Sequence, residues 1–549
     1  MAVKLKFLGG LGDIGRNCMA IEDDGDILII DAGLYFPELR AFGIDIALPD
    51  FSVLEADAGR VVGIVLTHGH EDHIGALGEL TKLVRAPVYG SRLTLALASK
   101  RLDEGGAVND VVEVADYETR VIGKFRVTFY PVAHSVPDSC ALAIATTEGV
   151  IYHTGDFKLD PTPLDARTTD LKPLRNLGLE GKIALLLIDS TNAEEPGWTE
   201  SELAVRPAIR GVFEAAVGRR IICTCFASHI HRVMQLIEEA VAAGRKVAPA
   251  GRSMVRIFEI ITELGLLDLR PTDVIDIRDV RKYEPGEICV LATGGQGEPR
   301  AALALMARRE HRHIELITGD VVLMSSGAIP GNESDVGHLI NQLVRAGAEV
   351  IHDGMLKVHV SGHAKRDELR EVLRQAAPQA VLPIHGEYRH LVSVRRLVES
   401  ELPGTPNLVV EDGSEVTLSG GELTVSGQFP APYMYRSNAQ GPVVSNRVVR
   451  ERRNLQSGGV LFFFLVLHNS GTISVTADQV GWLNSALFDE HVDDLTRELL
   501  ALATAARDRG VSGDELENHL QGKMRRYTRR INPNTPHVLV IAEAAQNGD

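Results

Sequence analysis

Cysteine is scarce, long apolar runs are missing and positive charge is outnumbered, and each shortage excludes something. The five cysteines stand at scattered positions and supply no disulfide framework, which points to a reducing cytoplasm. Cys223 and Cys225, near His229 and His231, invite a zinc-site reading. Yet Ile221-Ile222-Cys223-Thr224-Cys225-Phe226 has the character of a buried strand, where cysteine behaves as a small apolar residue, and core is the expectation. The longest strongly apolar run, 460–467, is far too short to cross a bilayer. The opening Met1-Ala2-Val3-Lys4-Leu5-Lys6 leads into a strand and shows no secretory signal pattern. No internal repeat or low-complexity tract stands out. A net charge of −17 argues against a protein that coats nucleic acid indiscriminately. It leaves room for a nuclease whose basic residues line a single channel. With 44% hydrophobic and 24% charged residues the composition is ordinary for a globular protein, and the length allows about three domains.

Against these shortages one stretch is rich. Thr67-His68-Gly69-His70-Glu71-Asp72-His73-Ile74-Gly75 places four potential metal ligands within six residues, directly after the apolar Val61-Val62-Gly63-Ile64-Val65-Leu66. Beyond it Ile74, Leu77, Leu80 and Val84 recur at helical spacing, so the segment reads strand, tight loop, helix. His68 and His70 can turn to one point from the loop, while Asp72 and His73 open the helix and can face a second. Imidazole with carboxylate suits zinc, manganese or iron better than magnesium or calcium, which favour oxygen shells.

The same punctuation repeats along the chain. Apolar strands end at polar, metal-competent residues: Asp31 after Ile27-Leu28-Ile29-Ile30, His134 after 125–133, Asp156 after Val150-Ile151-Tyr152, Asp189 after 183–188 and His385 after 380–384. Strands fix the positions of their own ends, so ligands on successive termini can converge on one sheet edge with the tolerance chemistry needs. Asp31 is expected to hydrogen-bond the ligand loops rather than to ligate, the alternative being a plain turn aspartate. Gly10, Gly12 and Gly15 could suggest a dinucleotide loop, but no helical pattern follows them.

His68-x-His70-x-Asp72-His73, then His134, then Asp156 within Thr154-Gly155-Asp156, resembles the ligand order of the metallo-β-lactamase fold. Downstream, Phe226-Ala227-Ser228-His229-Ile230-His231-Arg232, Gly251-Arg252-Ser253-Met254, Thr293-Gly294-Gly295-Gln296-Gly297-Glu298-Pro299 and Ile329-Pro330-Gly331-Asn332-Glu333 look like its β-CASP nuclease branch. So do His359-Val360-Ser361-Gly362-His363-Ala364 and Pro383-Ile384-His385-Gly386-Glu387-Tyr388-Arg389-His390. Together they resemble the bacterial ribonuclease J family over residues 5–415, more loosely beyond. The family often has Asn where His229 stands.

The resemblance implies an α/β protein: a metallo-β-lactamase αββα sandwich with an inserted β-CASP α/β domain and a small C-terminal α/β domain. The expected boundaries are 1–204 for the first part of the metallo-β-lactamase domain, 205–355 for the β-CASP domain, and 356–427 for the completing part. A linker over 428–450 and a C-terminal domain over 451–549 follow. Strand–helix alternation between 205 and 355 independently suggests a parallel sheet flanked by helices.

It further implies two divalent metal ions, Zn2+ or Mn2+, one on His68, His70 and His134, the other on Asp72, His73 and His385, with Asp156 bridging. Two such cations can share a hydroxide and neutralise charge on a phosphodiester, giving in-line attack on phosphorus with the 3′-oxygen leaving. His363 matches the histidine assigned to the leaving oxygen. Asp189 is expected to orient His363 or a metal ligand. Ser228, Ser361 and the amides after it, at His363 and Ala364, are candidates for a phosphate pocket. The activity implied is 5′-to-3′ exonuclease, preferring 5′-monophosphate RNA, with endonuclease cutting, in rRNA processing and mRNA decay. A β-CASP DNA nuclease or a small-molecule metallo-hydrolase is the alternative, since the metal ligands alone do not choose the substrate. Expected partners are RNA, a second copy in a homodimer or homotetramer through the C-terminal domain, and RNA-degradation machinery, with no membrane. Arg525-Arg526-Tyr527-Thr528-Arg529-Arg530 suits either RNA contact or a solvated helix face.

Overall fold

The strand Phe125–Pro131 buries Phe125, Val127 and Phe129 and leaves Arg126, Thr128 and Tyr130 at least partly exposed, the period of a half-buried strand. Its apolar face meets that of a second sheet. In the computed structural model, which describes residues 2–106, 110–329, 332–437 and 441–544, the chain divides into two units, Met1–Glu38 with Ile46–Tyr433, and Leu39–Asp45 with Met434–Asp549.

In the larger unit an eight-stranded sheet runs Glu422–Gln428, Ser414–Ser419, Val3–Gly9, Cys18–Asp23, Asp26–Ile30, Val61–Val65, Val88–Gly90, Val111–Glu113. A six-stranded sheet runs Val381–Ile384, Ile183–Asp189, Gly149–His153, Cys140–Thr146, Phe125–Pro131, Thr119–Ile122. Leu5, Phe7, Leu28 and Ile30 of the first pack with Phe125, Phe129, Leu142, Leu185 and Leu187 of the second. The strand Ile183–Asp189 is buried along its whole length because both its faces are covered. Leu185 and Leu187 face the core between the sheets. Leu186 and Ile188 pack with Leu369, Val372 and Leu373 of the helix Arg366–Ala376 and with Val394 and Val398 of the helix Tyr388–Glu401. Full burial on both faces is why this strand reads as an unbroken apolar run. Truncating one such leucine to alanine costs about 2–5 kcal/mol.

Ile183–Asp189 and Val381–Ile384 are parallel neighbours, yet a five-stranded parallel sheet lies between them in sequence. Its order is Lys246–Ala250, Ile288–Ala292, Ile221–Thr224, Val321–Met324, Glu349–His352. One face packs Ile221, Cys223, Leu291 and Leu323, the other Ile222, Val290, Val322 and Met324. This is the inserted α/β domain. Cys223 is core, with its Sγ 3.8 Å from Cys289 Sγ, and no metal-competent group among the described residues includes Cys223 or Cys225. Pro330 and Gly331 of the Ile329–Glu333 motif lie outside the described residues.

In the smaller unit the antiparallel pair Val460–Leu467 and Ile473–Val480 is joined by His537–Ala544, parallel to the first. The helices Ser485–Arg507 and Gly513–Thr528 cover one face, where Leu461, Phe463, Leu495, Leu499, Leu520 and Val540 form the core. The stretch 428–450 differs from a bare linker. It holds the short strands Met434–Arg436 and Val443–Val444 and the start of the helix Asn446–Gly458, because Val444 and Val449 find apolar partners in Leu39 and Ile44. No helix among the described residues is long and apolar enough to cross a membrane.

Candidate metal centre

The His-rich loop begins where the buried strand Val61–Val65 runs out. The following helix is broken in two, Glu71–Ile74 and Leu77–Leu83. Its opening turn is fixed from below by Asp31, whose carboxylate accepts from Thr67 N and Thr67 Oγ1, both at 2.8 Å, and from His73 Nδ1 at 2.8 Å. Asp31 itself adopts a left-handed φ of 59°, which aspartate tolerates better than most residues. With Nδ1 occupied, His73 turns Nε2 to Asp156 Oδ2, 3.2 Å away.

The seven side chains form two groups that share Asp156: His68, His70, His134 and Asp156, and Asp72, His73, Asp156 and His385. Within each, the candidate ligand atoms lie within 4.8 Å of one another. Asp156 Oδ2 stands between the groups, 3.5 Å from both His68 Nε2 and His385 Nε2 and 3.9 Å from His134 Nε2. That oxygen is buried without a hydrogen-bond partner, as expected of an atom whose partner is a cation. His134 is oriented by its Nδ1, which donates to Gly362 O at 2.8 Å. His385 holds a left-handed φ of 52°, a backbone state that costs of order 1–3 kcal/mol and persists only when surroundings enforce it. Its Nδ1 meets Thr191 Oγ1 at 2.6 Å, and that hydroxyl reaches Asp189 Oδ1 at 2.7 Å.

The electrostatics divide along the same line. Burial and neighbouring imidazoles hold His68 and His134 well below the ordinary histidine value. Burial brings His70 down to about 4. Their lone pairs are free for a cation. Burial opposes charge on His73 and His385 too, but Asp156 and Asp72 outweigh it, raising His73 well above the usual range and His385 to about 9. In this second group protons stand where a cation would compensate the carboxylates. The donor set, imidazoles around a shared buried carboxylate, fits divalent metal ions.

A third cluster, Asp189, His363 and His385, shares His385 with the second group. His363 Nδ1 donates to Asp189 Oδ2 at 2.8 Å, and its ring stacks on His385 with centroids 5.3 Å apart. Burial works against its charge, yet Asp189 holds its pKa above the ordinary value. Ser361 Oγ accepts from Asn192 Nδ2 at 2.8 Å and from His363 N at 3.2 Å. Ala364 packs its methyl into the core beneath the helices, so only its backbone can meet a phosphate. Ser228 shares no hydrogen bond with Ser361 or His363 among the described residues. His229 and His231 are partnered elsewhere, with Glu202 at 3.4 Å and Asp165 at 3.3 Å.

Several supporting residues carry no signal of their own in sequence. Thr199 Oγ1 and Asn192 Nδ2 both donate to His363 O, at 2.6 and 3.1 Å. Thr191 and Asn192 follow Asp189 closely in sequence, which is the one clue that was available.

Comparison with known proteins agrees with this geometry. Residues 11–188 match the metallo-beta-lactamase superfamily, 218–343 the beta-CASP domain of ribonuclease J, and 350–410 the Zn-dependent metallo-hydrolase RNA specificity domain. A solved structure from Enterococcus faecalis, a protein of unknown function, shares the fold with a TM-score of 0.54 at 15% identity, over 76% of this chain and 100% of its own. Ribonuclease J of Mycobacterium tuberculosis is 41% identical over 471 residues, 85% of this chain and 84% of its own length. For ribonuclease J of Helicobacter pylori the figures are 38% over 491 residues, 89% and 70%. Identity at this level over most of the chain, together with the three matched domains, means that the chain belongs to the ribonuclease J family.

Proposed function

We propose that this metal-dependent ribonuclease trims RNA from the 5′ end, prefers a 5′-monophosphate, and also cuts internally. The observation that carries the reading is the pair of ligand groups sharing the buried Asp156 oxygen, which the histidines surround without a hydrogen bond. Two cations, Zn2+ or Mn2+, would be held there, one by His68, His70 and His134, the other by Asp72, His73 and His385. When bound they would acidify a water and neutralise charge on the phosphodiester. His363, whose pKa Asp189 raises, would give its proton to the leaving 3′-oxygen. Thr191 and Asp189 keep His385 turned inward, while Asn192 and Thr199 hold the loop that carries Ser361 and His363. Ser361, with Ser228 and the amides at His363 and Ala364, would take the terminal phosphate.

The domain limits 1–204, 205–355, 356–427 and 451–549 belong to the same proposal, as do a cytoplasmic location and a role in RNA maturation and decay beside other RNA-degradation proteins. Self-association through the smaller unit is supported by its uncovered sheet face, where Phe464, Val480 and Ile541 are exposed. The test is cleavage of one internally labelled RNA, carrying a 5′-monophosphate or a 5′-triphosphate, in manganese. Mononucleotides released faster from the monophosphate are expected. Fragments indifferent to the 5′ end would remove the exonuclease reading, and cleavage of DNA alone would remove RNA as the substrate.

A further inference from the structure

The glycine-rich loop 9–17 links the strands Val3–Gly9 and Cys18–Asp23. In the structure it contacts Asp72 and His73 of the second group and the two residues that follow His385. Asn17 N and Asn17 Nδ2 both donate to Asp72 O, at 3.0 and 3.1 Å. The same Nδ2 lies 3.1 Å from His73 Nε2. Leu11 and Gly12 pair with Gly386 and Glu387, immediately after His385. No hydrogen bond joins this loop to His68, His70 or His134 among the described residues.

The loop is itself pinned. Arg16 is fully buried, donates to Asp412 Oδ2 at 2.5 Å and to Asp13 Oδ2 at 3.2 Å, and lies over the Tyr433 ring at 3.9 Å. Tyr433 closes the ring of contacts by donating to Asp13 Oδ2 at 2.7 Å. Asp412 Oδ1 accepts from Leu11 N at 2.9 Å, so one carboxylate holds both the arginine and the short strand against Gly386. The approach is too close for side chains. A Cβ on Gly33, beside Asn17, would fall 1.6 Å from Asp72 O, and one on Gly10 would fall 2.4 Å from Asn17 Oδ1.

From this geometry we propose that Arg16 and Asn17 are positioning residues for the second metal pocket alone. Asn17 sets the Asp72–His73 turn, and Arg16, through Asp412 and Leu11, sets the register of His385 against it. Asp72 and His385 are 313 residues apart in sequence yet must meet at 3.2 Å, and this loop contacts both segments. The inference rests on the two-cation reading.

The test counts zinc and manganese ions per full-length chain by elemental analysis and chelator competition. Circular dichroism confirms that each variant is folded. Wild type is expected to hold two ions. Arg16→Met and Asn17→Ala each keep one tight ion and hold the other 10- to 100-fold more weakly, the range for residues that orient ligands. Turnover falls at low metal and recovers as manganese is raised, with KM unchanged, and Arg16→Lys recovers part of the loss. His134→Ala, which strips the first pocket, leaves no tight ion when combined with Asn17→Ala. Asn17→Ala leaves the Arg16 carboxylate cluster intact, so it serves if Arg16→Met does not fold. Folded variants that retain both ions at wild-type affinity, or lose both equally, overturn the inference. A wild-type chain with a single ion overturns the two-cation reading itself, leaving no second pocket to position.

Discussion

The two halves of the metal centre share a carboxylate and differ in almost everything else. The first, His68, His70 and His134, consists of imidazoles that burial keeps neutral. The second, Asp72, His73 and His385, carries its own carboxylate and holds protons against burial. Two of the first group's ligands come from one loop two residues apart, whereas the second closes only when residue 385 returns to residue 72. A pocket of neutral donors is ready for a cation down to about pH 4, where His70 takes a proton. A pocket of carboxylates and imidazoliums must exchange protons for its cation, so its affinity must rise more steeply with pH.

The largest expected effect breaks the comparison by removing what the halves share. Asp156→Ala should lower RNA cleavage at least about a thousandfold, equivalent to about 4 kcal/mol at the barrier, and elemental analysis should find both ions lost. Retention of one tight ion would show that the halves are independent. Next, His363→Ala should lower kcat by about 10²- to 10⁴-fold, the range for a lost proton donor, while metal content stays at the wild-type value. Loss of metal in that variant would place His363 among the ligands instead.

A smaller effect sharpens the contrast through pH. In the metal-free chain His70 titrates near 4 when folded and near 6.5 when unfolded. The unfolded state therefore gains protons that the folded state refuses, and stability falls as pH drops from about 6.5 towards 4. His385 behaves oppositely. Folded, it keeps its proton up to about 9, so its contribution is complete below about 6.5 and is lost as pH rises through 9. Thermal melting of chelator-treated protein should peak near neutrality and decline on both sides, and His385→Asn should flatten only the alkaline side. An alkaline limb unchanged in that variant would remove the distinction. The smallest effect is a control outside the centre. Cys223→Ala should cost about 1 kcal/mol, roughly one buried group's worth of packing, with no change in bound metal.

Much of this was legible from local pattern. The apolar runs ending at Asp31, His68, His134, Asp156, Asp189 and His385 do converge, because a strand's end is fixed by its own ladder. Cys223 was readable as core from its neighbours alone. The stretch 428–450 was read as a linker because proline and polar residues there conceal two valines that find partners only after folding. Thr191, Asn192, Arg16 and Asn17 carry no signature, as each acts through contacts with residues distant in sequence.

The sequence by itself determined the donor set, the alternation that builds two sheets and a parallel insert, and the family, because these depend on residue type and short-range periodicity. Only the tertiary structure decided which imidazoles are neutral and which protonated, and what holds His385 opposite Asp72. Those depend on distances of a few ångströms between segments separated by tens to hundreds of residues. Burial and Coulomb terms acting over such distances have no counterpart in local sequence.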